Sequence, residues 1–135
     1  MTNDWIGRSA PSLEDFSLLA AEAFNRLPAA FRRAAGEVVI HVLDFAEDEV
    51  LDELGIEDPF ELTGLYQGVD LRRKSFADPT PLIDRVFLYR RPILDEWTER
   101  GDVALDQLIE HVLIHEIGHH LGLSDDDIEA IEARD

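Results

Sequence analysis

The chain has 135 residues, 45% of them hydrophobic and none of them cysteine, which suits one globular domain and excludes a disulfide framework, a thiolate nucleophile and thiolate metal sites. Twelve basic residues stand against thirty acidic ones, a net charge of −18. A surface so negative repels phosphate backbones and anionic lipid, so neither nucleic acid nor a membrane is expected as a partner.

The first residues carry no charged leader with a continuous apolar run, and no apolar stretch is long enough to span a bilayer, so the expectation is a cytoplasmic protein. Residues 1–11 read as a flexible segment ahead of a single domain. Over 12–27, Leu13, Phe16, Leu19, Ala20, Ala23, Phe24 and Leu27 recur at helical spacing, with Ser12 as N-cap and Pro28 as terminator. A short helical piece follows to Ala35. Gly36 then introduces EVVIHVLDF (37–45), read as a buried strand in which His41 is a core histidine. Residues 47–54 form a short acidic helix closed by Gly55. TGLYQGVDL reads as a short strand or hairpin near a sheet edge. DRVFLYRRP (84–92) reads as a stronger strand stopped by Pro92, before a helix of roughly 92–99 that turns at Gly101. The longest helical pattern runs from Val103 to Leu121, ends at Gly122, and is followed by a last helix opened by Ser124. Helices, a few strands and then helices make an α+β domain.

The long helix is apolar almost all round, as a buried helix should be. Yet His111, His115 and His119 lie four apart on it, on one stripe. Burying imidazoles is costly unless they are paired or coordinate something, and a metal meets that cost. Two histidines four apart on a helix can converge on one ion. The glutamate after the first can approach the water that such an ion activates without being a ligand itself. His115, Glu116 and His119 form HExxH. Gly122 can reverse the chain, and three residues later Asp125 can return a carboxylate as third ligand. The bland reading makes Asp125 a first-turn acid of the last helix, beside Asp126 and Asp127, either of which could ligate instead. His111 reads as packing or hydrogen-bonding support, since ligation one turn earlier would leave Glu116 less well placed. His120 points about 100° away from His119 around a 3.6-residue turn, as a hydrogen-bonding or surface residue.

The string HEIGHHLGLSD resembles the extended zinc motif of metzincin-type metallopeptidases, with aspartate in place of the usual third histidine. With LTGLYQGVDLRRKS and DRVFLYRRPIL, it resembles the small acidic bacterial family of minimal zincin-like metallopeptidases, over roughly Leu13 to Asp127. That resemblance implies a compact zincin-like fold in which a small sheet lies over a buried active-site helix. It also implies zinc held by His115, His119 and Asp125, with Glu116 as the catalytic base. One departure stands out: metzincins place a methionine turn beneath the metal, and the only methionine here is Met1. Ten residues follow Asp125, too few for the usual C-terminal subdomain.

The leading expectation is therefore a zinc-dependent peptidase acting on a peptide or protein laid along the TGLYQG edge. No oxyanion stabiliser beyond zinc is identifiable; Tyr66, Tyr89 and Arg72 are candidates, each better explained structurally. The alternative is a zinc-binding structural or interaction domain without proteolysis, for which the added Glu116 is superfluous. A metal-dependent hydrolase of nucleic acid is disfavoured by that glutamate and by the charge. The arginines of LRRKS and LYRRP are expected to pair with the chain's own carboxylates rather than with an acidic partner.

Overall fold

A computed structural model describes residues 11–68 and 84–133. Apart from Pro11, the expected flexible N-terminal segment lies outside the described residues, as do Arg72 and the LRRKS arginines. Among the described residues, no helix is long and apolar enough to cross a membrane.

The architecture is α+β, with six α-helices and a three-stranded sheet among the described residues. Helix α1 spans Leu13–Arg26 and starts on a reciprocal cap: Ser12 Oγ accepts from the Asp15 N–H, and Asp15 Oδ2 accepts from the Ser12 N–H. Its Phe16, Ala20 and Ala23 are fully buried, as the periodicity required. Pro28 opens a second short helix, α2, at Ala29–Ala35. After Gly36 come strand β1 (Val38–Leu43), helix α3 (Asp48–Leu54) and a single 3₁₀ turn at Pro59–Glu61. Strands β2 (Gly64–Gln67) and β3 (Asp84–Tyr89) follow, then helices α4 (Arg90–Arg100), α5 (Leu105–His120) and α6 (Asp125–Glu132).

The strand order is β1-β3-β2, with β1 parallel and β2 antiparallel to the central β3. Alternation sorts the side chains between two layers. Val38, Ile40, Val42, Val86 and Leu88 face α1 and α5 in the main core, which also takes Ile93 of α4 and Ile128 of α6. Leu43, Leu65, Phe87 and Tyr89 face a smaller cluster built on Ala46 and Leu51.

Two expectations need correction. Strand β1 is an edge strand, not a buried one: none of its residues is fully buried, and Val39 is exposed. His41 accordingly lies near the surface, stacked on Phe87 and 2.7 Å from Arg85 Nη1 through its Nε2. Strand β3 does not run to Pro92. It turns into α4 at Arg90, and Pro92 sits in the first helical turn, where its missing N–H breaks no helical bond. That turn holds the LYRRP arginines. Arg90 reaches Asp44 Oδ1 at 2.8 Å and donates to the Pro11 carbonyl, while Arg91 lies over the Phe45 ring. Arg90 thus pairs with one of the chain's own carboxylates, as expected.

Candidate metal centre

Helix α5 is the floor of the centre. Leu105, Leu108, Ile109, Val112, Leu113, Ile114 and Ile117 are all buried around it, fixing its rotation by packing on α1, α4 and the sheet. One stripe is left to the histidines. His111 and His115 ring centroids are 4.2 Å apart, and those of His115 and His119 are 5.7 Å apart.

Past His120 the chain reverses as expected. Gly122 adopts φ +84°, in the left-handed region. The Leu123 N–H bonds to the Gly118 carbonyl and the Gly122 N–H to the His119 carbonyl, closing the helix end. Ser124 then caps α6 through a reciprocal bond with Asp127. The sequence reading missed what sets the depth of this return. A Cβ on Gly118 would lie 2.9 Å from Ile128 Cγ1, so only glycine at 118 lets α6 settle onto α5.

That packing brings Asp125 Oδ1 to 2.9 Å from His119 Nε2. His115, His119 and Asp125 each offer a ligand atom, all within 4.8 Å of one another, a set able to hold a metal ion. Asp127 is engaged in the cap and Asp125 faces the histidines. Burial, helped by His111 and only partly offset by the Glu132 carboxylate, pushes the His115 pKa below that of an ordinary histidine. Its ring is therefore neutral near pH 7, as a metal ligand must be.

Glu116 points away from the stripe, under the sheet. The β2–β3 register makes Thr63, Leu65 and Gln67 the residues bonded to β3, which turns the main-chain groups of Gly64 and Tyr66 to the outer edge. The Tyr66 N–H donates to the Glu116 carboxylate. Gly64 makes the approach possible, since a Cβ there would meet Val112 Cγ1 at 2.8 Å and Glu116 Cγ at 3.2 Å. Burial raises the Glu116 pKa, with His119 and the Tyr66 N–H opposing the shift.

The remaining candidates have structural roles. Tyr66 stacks on His120 at 3.9 Å and its hydroxyl bonds Asp84 Oδ2 at 2.8 Å. Tyr89 is buried in the smaller cluster, on the sheet face opposite Leu88. His120 lies against Gly68, where a Cβ would run into its ring.

Sequence reasoning also missed Glu132. Its carboxylate lies 2.9 and 3.1 Å from His111 Nδ1 and 3.4 Å from His115 Nε2. The only sequence signal was its spacing one helical turn after Ile128, on the face that α6 turns to α5.

A helix-borne HExxH with a carboxylate folded back over it, beneath a small sheet with an edge strand, defines a protein of the zincin type. The zincin-like metallopeptidase family model matches residues 35–134, well over half of the chain, and the chain belongs to that family. A search of curated proteins returns no significant match.

Proposed function

We propose that this single zincin-like domain is a zinc-dependent metallopeptidase of the cytoplasm, with His115, His119 and Asp125 as metal ligands and Glu116 as general base. The observation that carries the reading is the position of Glu116: half-buried, held by the Tyr66 N–H, and adjacent in sequence to one member of the metal-capable triad without belonging to it. A purely structural metal site has no use for such a group.

The donor set is two imidazoles and a carboxylate, one of the combinations that leaves a zinc ion an open position. When bound, zinc would polarise the scissile carbonyl and acidify the attacking water. Glu116 takes the proton from that water and returns it to the leaving amine. Its raised pKa favours this double task, because a carboxyl that protonates more readily can carry the proton between the two positions. With the Tyr66 N–H taken by Glu116, the outer edge of β2 presents the Tyr66 carbonyl and the main-chain groups of Gly64, along which an extended peptide can lie with its scissile bond over α5. Asp125 Oδ1, 2.9 Å from His119 Nε2, holds that ring in place beside His115.

The runner-up, a metal-binding domain without hydrolysis, draws on Glu132. Its contact with His115 Nε2 puts a further carboxylate where it could complete a closed coordination sphere. Zinc-loaded protein incubated with a diverse peptide library separates the two. Cleavage abolished by Glu116→Gln supports the peptidase, and no cleavage at any site supports the binding domain.

A further inference from the structure

Among the described residues two triads can hold a metal ion, and they overlap. One is His115, His119 and Asp125; the other is His111, His115 and Glu132, and in each the three ligand atoms lie within 4.8 Å of one another. The second triad is not an accident of an acidic surface. Its three residues are all partly buried. Glu132 engages His111 Nδ1 through both carboxylate oxygens and turns one of them to His115 Nε2. One carboxylate therefore already lies where it and two imidazoles face a common point. The triad also borders a cleft of about 440 Å³ lined by Arg100, Val103, Gln107, Leu108 and Ile114, through which an ion can arrive from solvent. Arg100, the cation in that cleft, is held by Glu96 at 2.9 Å.

We propose that His111, His115 and Glu132 form a second transition-metal station, one helical turn from the first and sharing His115 with it. His115 Nε2 has one lone pair, so the two stations are alternatives for a single ion rather than sites for two. An ion at the upper station is displaced from Glu116 toward the N-terminus of α5 and is catalytically idle. Glu132 and Asp125 then compete for the same metal, and the balance between them sets the active fraction. This rests on the metallopeptidase reading of the lower station.

The test is zinc binding itself, by competition with a chromophoric chelator, with the fold of each apo-protein checked by circular dichroism. Wild type should bind one zinc per chain and His115→Ala none. His119→Ala, which removes the lower station, should still bind one zinc more weakly. Adding Glu132→Gln or His111→Ala to it should then weaken the remaining binding by at least about tenfold, the scale of losing a supporting metal contact. Asp125→Ala leaves α5 untouched and gives a second route: its residual zinc should depend on Glu132 in the same way. A folded His119→Ala protein that binds no zinc would overturn the proposal. So would residual binding in either background that is indifferent to Glu132→Gln, or two zinc ions in wild type. If wild type itself took up no zinc, the metallopeptidase reading would fail first, so the two failures are distinguishable.

Discussion

Gly118 on α5 and Ile128 on α6 meet so closely that a Cβ on the glycine would lie 2.9 Å from Ile128 Cγ1 and 3.0 Å from its Cδ1. Ile128 is fully buried, so moving it aside would disturb its packing. This contact sets how near α6 lies to α5, and with it the positions of Asp125 at one end of α6 and Glu132 at the other.

Gly118→Ala should therefore act on the metal centre although it touches no ligand. An alanine gains about 0.5–1 kcal/mol over glycine in a helix interior, whereas overpacking a filled site costs about 1–3 kcal/mol. The net change in stability should be modest and unfavourable, while zinc affinity falls because Asp125 is lifted from His119. Ile128→Ala in the same chain should restore part of the affinity by vacating the space, so the two changes will be non-additive. Additive losses in zinc titrations would show that the contact does not govern the site.

The three aspartates after Ser124 should separate cleanly. Asp125→Ala should weaken zinc binding, because its carboxylate is the one 2.9 Å from His119 Nε2. Asp127→Ala should leave zinc affinity nearly unchanged and instead destabilise α6 modestly, by about 0.5–1.5 kcal/mol, because the Ser124 N–H loses its Asp127 Oδ2 acceptor while Ser124 Oγ still caps the helix. Asp126→Ala should do neither. Metal loss in Asp126→Ala with Asp125→Ala silent would reverse this assignment.

How far the site was legible follows from which interactions are local. HExxH, the Gly122 turn and the return of Asp125 depend on residues within one helix and its cap, and their placement matched the spacing. Glu132 did not stand out, because its approach to His111 and His115 depends on the depth of α6 on α5, which Gly118 determines from 14 positions away. The strands divide in the same way. The existence and span of β1 followed from its apolar run, but a run of valines does not state its place in a sheet. β3 took the centre by pairing with β1 on one side and β2 on the other, and β1 was left at an edge. Pro92 was read as the end of the strand because proline cannot donate to a sheet ladder, but β3 has already turned into α4 at Arg90, and in that first turn Pro92 is harmless.

Alkaline pH should destabilise the protein by way of buried Tyr89 and half-buried Tyr66. Burial, then the Glu47 and Glu116 charges, pushes Tyr89 from 10.0 to about 12, and burial with the Asp84 hydrogen bond pushes Tyr66 further still. Their folded pKa values are raised, so the unfolded chain loses these protons first. Stability from this source is intact below pH 10 and declines as pH rises through 10 to about 12. Two pKa units at Tyr89 correspond to roughly 3 kcal/mol. Urea unfolding at stepped pH should show the decline, and Tyr89→Phe should flatten part of it. A curve unchanged by Tyr89→Phe would mean that this ring ionises as freely folded as unfolded.

The substitution Glu116→Gln distinguishes catalyst from scaffold most sharply, because the structure assigns three separate consequences to it. The amide oxygen can still accept the Tyr66 N–H, so the link between β2 and α5 should persist. Stability at pH 7 should hold or rise slightly: the folded pKa of Glu116 is raised by burial, so its contribution is present below about pH 4.5 and lost as pH climbs through the folded value. Above that the ionised carboxylate is a cost, and a neutral glutamine removes it. Zinc affinity should stay close to wild type, since Glu116 stands outside both metal-capable triads. Hydrolysis alone should collapse, by about 10²–10⁴-fold, the usual scale of general acid–base catalysis. Thermal melts, zinc titration and peptide cleavage on one preparation read all three. Loss of zinc as severe as in His115→Ala would make Glu116 a ligand and cancel its role as base. Retained cleavage would mean that some other group moves the proton.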